Sequence, residues 1–323
     1  MSKIFDALKK GQGEIPDMIL PSLTEDAETS GTAAAIEPAA LEPAVAEPPA
    51  TAKPVFLPLD SAAAEKTAAA LETITPDQTE RSDFLSQVRT FALRVSGGTP
   101  LLPFDQNHWY AGEQYRIIRT KILQHPKQPR VLLVSSAGPG DGKSVTSVNL
   151  AGALSLKAHT TVLLMDADIR RSTVHSQLGL PKSPGLADLL EGKAELCDVV
   201  IRAEQFPSLY VMPAGAPRAN PTELLDSPRW REVCEIIRQT FQYVVIDSPP
   251  IEGVADYDLL QSAADGIIVV VRPDHTRRPA CFKAIQTVPK PKLVGVVLNC
   301  IEDWFLGRIL HYHSPYYYLG RYE

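Results

Sequence analysis

The run SSAGPGDGKSVTSVNLA, residues 135–151, gathers residue types that can hold a triphosphate. Gly138, Gly140 and Gly142 let a backbone turn tightly enough for its N–H groups to face phosphate oxygens, and a helix opening after them adds its positive dipole end. Lys143 would reach the β- and γ-phosphates, and the Ser144 hydroxyl would ligate Mg²⁺. The expected nucleotide-binding stretch is therefore Gly138, Pro139, Gly140, Asp141, Gly142, Lys143, Ser144 and Val145. It departs from the G-x-x-x-x-G-K-[ST] pattern only at the first position, where Ala137 stands. Two more acidic sites follow apolar runs. LLMDADIRR carries Asp166, Asp168 and Arg170, and YVVIDSPPI carries Asp247 ahead of Pro249 and Pro250. In a parallel sheet such strand ends emerge on one edge, where ligands bind. Three carboxylates facing a phosphate loop would form a hard-oxygen site for Mg²⁺; without a cation they would repel one another and their pKa values would rise.

Chemistry of this kind needs strands and helices to carry it, and the pattern after Asn107 supplies them. Short apolar runs at 131–135, 161–165, 209–212, 243–246, 266–271 and 293–299 alternate with helical patterns at 143–157, 228–240, 256–263 and 277–287. Strands apolar throughout are buried on both faces, so the expectation is an α/β domain: a P-loop NTPase fold with a mostly parallel sheet covered by helices on both faces. Its expected span is 108–310, followed by a tail, 311–323.

The first part of the chain is a different material. Residues 1–85 carry 6 Lys/Arg against 15 Asp/Glu, with 17 Ala and 9 of the 28 Pro. Such a mixture lacks the aromatic and branched residues that offset ordering entropy, so 11–107 reads as a disordered linker. Ahead of it, residues 1–10 form a short amphipathic segment, with Ile4, Phe5 and Leu8 among lysines, suited to docking on a partner or membrane surface. The whole chain has a formal charge of −6, which argues against nucleic acid as a partner. The four cysteines are far apart, without metal-ligand spacing, which fits a reducing compartment. No apolar run approaches the roughly 20 residues needed to span a bilayer. A cytoplasmic protein recruited peripherally to the inner face of the plasma membrane is the expectation.

Together, the phosphate loop, the Asp-x-Asp-x-Arg run and the Asp-x-Pro-Pro run resemble the bacterial tyrosine kinases of capsule and exopolysaccharide export. EQYRIIRT resembles that family's Glu-x-x-Arg-x-x-Arg helix, MPAGAPRANPTELLDS its Pro-Ala-Gly…Asn-Pro-x-Glu-Leu-Leu segment, and MSKIFDALKK the start of autokinases from exopolysaccharide loci. The resemblance implies an ATP- and Mg²⁺-dependent tyrosine autokinase. Lys143, Asp166, Asp168 and Asp247 would be catalytic, with Ser144, Asp168 and Asp247 toward the metal and Asp166 accepting the tyrosine proton. Asn299 would contact adenine. Glu113, Arg116 and Arg119 would mediate a ring-like homo-oligomer. A membrane polysaccharide co-polymerase or chain-length adaptor would activate the kinase, and a cognate tyrosine phosphatase would reset it. The acceptors are visible in the sequence: Tyr312, Tyr316, Tyr317, Tyr318 and Tyr322 are half of the 10 tyrosines, all within the last 12 residues. Two rival readings are an ATP-gated dimer switch related to partition and division-site ATPases, and a nucleotide-binding scaffold without catalysis. The first is disfavoured because Ser135-Ser136-Ala137-Gly138 lacks the extra lysine of those ATPases. Intact Lys143, Asp166, Asp168 and Asp247 disfavour the second.

Overall fold

The computed structural model describes residues 84–95, 100–104 and 108–300. The amphipathic N-terminal segment, most of the acidic linker and the tyrosine-rich tail lie outside the described residues. Within them, eight strands form one sheet. In chain order these are β1 (Arg89–Phe91), β2 (Val131–Ser136), β3 (Val162–Asp166), β4 (Ile201–Ala203), β5 (Leu209–Met212), β6 (Tyr243–Asp247), β7 (Gly266–Val271) and β8 (Leu293–Leu298). The spatial order is β1-β4-β5-β3-β6-β2-β7-β8. Every neighbouring pair is parallel except β4 with β5.

The apolar strands feed two cores at once. Val131 and Leu133 of β2 join one cluster, and Leu132 and Val134 join the other. Leu163 and Met165 alternate with Val162 and Leu164 in the same way, as the period-2 geometry of a strand requires. Helices α1 (Trp109–Leu123), α2 (Lys143–Ser155) and the short α3 (Val174–Leu178) cover one face, contributing Ile122, Val148, Leu154 and Leu178. The other face is covered by α4 (Leu186–Leu190), α5 (Leu196–Val199), α6 (Pro221–Leu225), α7 (Pro228–Thr240), α8 (Asp256–Ala263) and α9 (Arg278–Thr287). α7 has clear start signals: Pro228 sits in its first turn and the Ser227 hydroxyl accepts from Trp230 N at 3.2 Å.

One boundary differs from the sequence reading. Residues 84–104, expected in the linker, supply a helical turn at 84–87 and strand β1, which pairs in parallel with β4. Two side-chain amides hold this stretch by imitating a peptide group. Asn149 accepts from Leu102 N at 2.6 Å and donates to Pro100 O at 2.8 Å. Gln205 accepts from Leu93 N at 2.8 Å and donates to Leu93 O at 3.1 Å. Composition cannot reveal such anchoring, because the partners lie far away in sequence. Replacing Asn149 with Leu removes both bonds and leaves partly buried backbone groups unpaired. We expect the variant to lose about 2–3 kcal/mol in urea unfolding.

Candidate active site

Strands β3, β6 and β2 lie side by side, and their register sets the geometry of the site. Asp166 at the end of β3 is the direct partner of Asp247 at the end of β6, and Asp247 in turn pairs with Val134 of β2. The phosphate loop leaves β2 two residues later. The three motifs therefore converge because three parallel strands end together.

Within the loop, Gly140 and Gly142 take φ values of 86° and 90°, which favour glycine. Space restricts both further. A Cβ on Gly142 would come within 1.9 Å of Asn299 Nδ2, and one on Gly140 within 3.1 Å of the His275 ring. Gly138 needs neither argument: its φ is not positive, and nothing lies within 4 Å of where its Cβ would be. Asp141 turns its side chain inward, with 1 % exposure. Its carboxylate accepts from the Thr276 hydroxyl at 2.8 Å and Gly138 N at 3.3 Å, and lies 3.0 Å from His275 Nδ1. Asn299 donates to Asp141 O at 3.0 Å. The expected adenine contact is thus also a brace under the phosphate loop.

The carboxylates divide into different environments. Asp247, fully buried, accepts from the Ser147 hydroxyl at 3.0 Å through Oδ1, while its Oδ2 makes no hydrogen bond. Burial pushes its pKa up to about 6, against the opposing pull of Lys143 and of the Ser144 and Ser147 hydroxyls. Asp168 lies 3.7 Å from Lys143 Nζ through Oδ2 and accepts from Arg171 N at 3.0 Å through Oδ1. Asp166, with 0 % exposure, has both oxygens occupied: Oδ1 by Asp168 N, and Oδ2 by Thr173 N and Val174 N, each at 3.2 Å. Burial and the neighbouring Asp247 hold its pKa well above the usual carboxylate range.

This arrangement narrows two expectations. Asp166 also serves the fold: at 0 % exposure its oxygens accept three backbone N–H bonds that close the turn after β3 and cap α3. In addition, no three His, Cys, Asp or Glu side chains among the described residues cluster closely enough to hold a metal alone. Mg²⁺ does not require that. It keeps several waters and is commonly held by one or two carboxylates plus substrate phosphates. The buried, unpartnered Asp247 Oδ2 beside Ser144 fits that donor set, and the nucleotide would complete it.

A second group of residues, only partly announced by motifs, shapes the site. Arg170 Nε donates to Asp256 Oδ2 at 2.7 Å, and its terminal nitrogen donates to Asp256 Oδ1 at 3.1 Å and Thr222 Oγ1 at 2.8 Å. Burial pushes the Asp256 carboxyl up, but the Arg170 and Thr222 bonds outweigh it and hold the pKa below its ordinary value. The carboxylate-bearing turn after β3 is thereby fastened to α6 and α8. Thr222 lies in the PTELL run singled out from the sequence; Asp256 had no signal, because its partner is 86 residues away. The expected assembly helix α1 presents Trp109, Glu113 and Ile117 at four-residue spacing on its exposed side. Arg116 pairs with Glu113 at 3.3 Å, and Arg119 donates to Ala153 O at 3.1 Å.

Comparison with known proteins decides the family. A model described as an AAA domain matches residues 130–288. The tyrosine-protein kinase YwqD of Bacillus subtilis (strain 168) is 35 % identical over 212 residues, covering 64 % of this chain and 86 % of that protein. The chain belongs to the bacterial tyrosine-protein kinases. Solved structures agree with this assignment. The chimerical protein CapA2B2 superposes with a TM-score of 0.60 at 28 % identity, over 69 % of this chain and 100 % of that one. The kinase domain of VpsO gives 0.54 at 30 % identity, over 61 % and 98 %. The kinase carries a nucleotide-binding P-loop domain, and among the described residues no helix is long and apolar enough to cross a membrane.

Two outcomes check this geometry. The pKa of Asp247 is raised, so folding favours its protonated form, and ligand-free stability falls as pH rises from about 4 through 6. Thermal unfolding of ligand-free protein between pH 4 and 7 should show that decline, and Asp247→Asn should make it shallower, leaving the part that belongs to Asp166. Asp256→Asn weakens the fastening of the β3 turn. It should lower stability by about 2 kcal/mol in denaturant titration, less than for a fully buried pair because Arg170 is partly exposed.

Proposed function

We propose that this kinase transfers the γ-phosphate of Mg-ATP to Tyr312, Tyr316, Tyr317, Tyr318 and Tyr322 of a neighbouring copy. One observation carries the reading: Lys143, Ser144, Asp168 and Asp247 meet at one sheet edge, and the chain leaves that edge at Asn299, against the phosphate loop. Lys143 and the loop amides would hold the β- and γ-phosphates. Ser144 and Asp247 Oδ2 would hold Mg²⁺, which supplies charge neutralisation on the phosphates when bound. Lys143 then leaves Asp168 for the nucleotide and frees Asp168 Oδ2. We assign proton acceptance to that oxygen, in place of the enclosed Asp166. The tyrosine oxygen forms the new bond to phosphorus, ADP departs with the old bridging oxygen, and the phenolic proton passes to Asp168. Because a free tyrosine has a pKa near 10, the proton leaves late and a positioned acceptor suffices.

Self-association through Glu113, Arg116 and Arg119 would bring each tail to the next active site. Each phosphate adds about −1.5 to −2 charge, which the active-site carboxylates would expel, so phosphorylation would dissolve the assembly. A membrane polysaccharide co-polymerase as activator, a cognate tyrosine phosphatase and a place at the inner face of the plasma membrane follow from the family resemblance. So does control of capsule or exopolysaccharide polymerisation.

Incubating the full chain with Mg-ATP and mapping phosphopeptides by mass should find phosphotyrosine confined to 312–322, absent in Lys143→Met. Asp168→Asn should slow its appearance at least 100-fold while ATP affinity changes little. Phosphate located elsewhere, or undiminished in Lys143→Met, overturns the assignment. Light scattering before and after ATP should show a large particle becoming small.

A further inference from the structure

The segment after β7 carries an unusual charge arrangement that the catalytic reading leaves unused. Between Arg272 and Thr287 there are four Lys/Arg, with Asp274 the only acidic residue. Lys283 is paired with Glu252 at 3.5 Å. Arg272, Arg277 and Arg278 are exposed, and among the described residues their side chains make no hydrogen bond or ion pair. Other arginines are committed: Arg130, Arg170, Arg218 and Arg238 each reach two or more acceptors. The remaining acid near the segment, Asp141, is occupied by Thr276, His275 and Gly138. The turn is also held in shape, because His275 N and Thr276 N donate to Arg272 O and the Thr276 hydroxyl accepts from Arg272 N. Three guanidinium groups therefore stand on a fixed turn and the helix start after it, without an ion pair among the described residues, and the single carboxylate between them, Asp274, leaves an excess of two positive charges.

The path of the chain identifies an anion. Val271 pairs with Leu298, and Asn299 N donates to Val271 O at 2.8 Å. Arg272 and Asn299 thus leave adjacent strand ends together. Tyr312 follows Cys300 by 12 residues, a length that spans up to about 40 Å when extended. That reach easily covers a turn beginning beside the exit point. From His311 to Glu323 the only full charges are Arg321 and Glu323, so the unmodified tail offers no counter-charge. Phosphorylated tyrosines do, and a guanidinium fork matches a phosphate dianion in two parallel hydrogen bonds. A connection of only 12 residues places the tail at a high effective concentration beside the turn, so a weak site is enough. The other anions in the chain are Glu302 and Asp303, just beyond the exit point and each a single charge rather than a phosphate dianion, and the acidic stretch of residues 1–85, whose charge is spread thinly and joins the fold on the far side of the sheet, at β1.

We propose that Arg272, Arg277 and Arg278 form a phosphotyrosine receptor that captures the chain's own modified tail after phosphoryl transfer. This rests on the tail tyrosines being the acceptors. Capture adds a second step to the expulsion described above: it keeps the product tail of each copy away from its neighbour's active site and withholds it from a phosphatase.

Binding can be measured without any autophosphorylation, which separates this proposal from the one beneath it. The full chain carrying Lys143→Met is titrated into a labelled synthetic peptide of residues 311–323, phosphorylated at Tyr316, Tyr317 and Tyr318, and followed by fluorescence anisotropy. We expect the phosphopeptide to bind at least 10-fold tighter than the unmodified peptide and to weaken steeply with salt. Adding Arg272→Gln, Arg277→Gln and Arg278→Gln together should reduce its affinity at least 10-fold, with circular dichroism confirming an unchanged fold. Saturating Mg-ADP, added to the chain with Lys143 in place, should leave binding intact. If the triple substitution has no effect, if Mg-ADP displaces the peptide, or if an unphosphorylated peptide of residues 36–49 binds equally well, the receptor is overturned. In the active chain, tail phosphate should be removed by an added tyrosine phosphatase several-fold faster in the triple variant. Equal rates also count against capture. Absence of phosphotyrosine from the active chain with peptide binding intact would sink the catalytic reading and, with it, capture of the chain's own tail, leaving only an arginine site that binds phosphotyrosine; intact phosphorylation with no peptide binding would sink the receptor alone.

Discussion

Three carboxylates are buried at the ends of apolar strands, and two nearby cations, Lys143 and Arg170, stand against them. Arg170 is already committed to Asp256, so Lys143 alone has freedom to move. The cost of that burial is visible in the raised pKa values of Asp166 and Asp247. The sheet sustains it because three in-register parallel strands dictate where the carboxylates stand and surrounding amides and hydroxyls satisfy most of their oxygens. The result is a site organised for cationic and phosphate ligands before either arrives. Preorganised polarity of this kind does not have to be assembled during reaction.

The outer rim of the site is held by a different principle. Asp141, Asn299, Thr276 and His275 tie the phosphate loop to the two strands on its far side, while Arg170, Thr222 and Asp256 tie the β3 turn to two helices. Neither set has to touch a nucleotide to matter. They fix the distance between the lysine-bearing loop and the aspartate-bearing turn, which is the spacing that phosphoryl transfer depends on.

Much of this was legible in the sequence because it is local. The strand ranges 209–212 and 266–271 and the helix ranges 228–240 and 256–263 coincide with the observed elements, since fully apolar strands, a serine cap and proline at the start of 228–240, and acidic residues in the first turn of 256–263 announce themselves within a few residues. The phosphate loop could be read for the same reason. What escaped is what depends on distant partners. Strand β1 is three residues long and too short for any period, and its neighbourhood is anchored by Asn149 and Gln205. The short helices α3 to α6 are too brief to show amphipathic spacing. Asp166 and Asp168 look equivalent in an Asp-x-Asp motif, and only the fold of the following turn assigns one to backbone amides and leaves the other facing Lys143.

Helix α2 joins two ends of the molecule that the motifs treat separately. It opens with Lys143, and Asn149, six residues later, grips Pro100 and Leu102. Its 13 residues make a rod about 20 Å long. Gly152 lies so close to Leu102 and Phe104 that even a methyl group there would collide. A displacement of residues 100–104 therefore cannot be absorbed locally and presses on the helix that opens with Lys143.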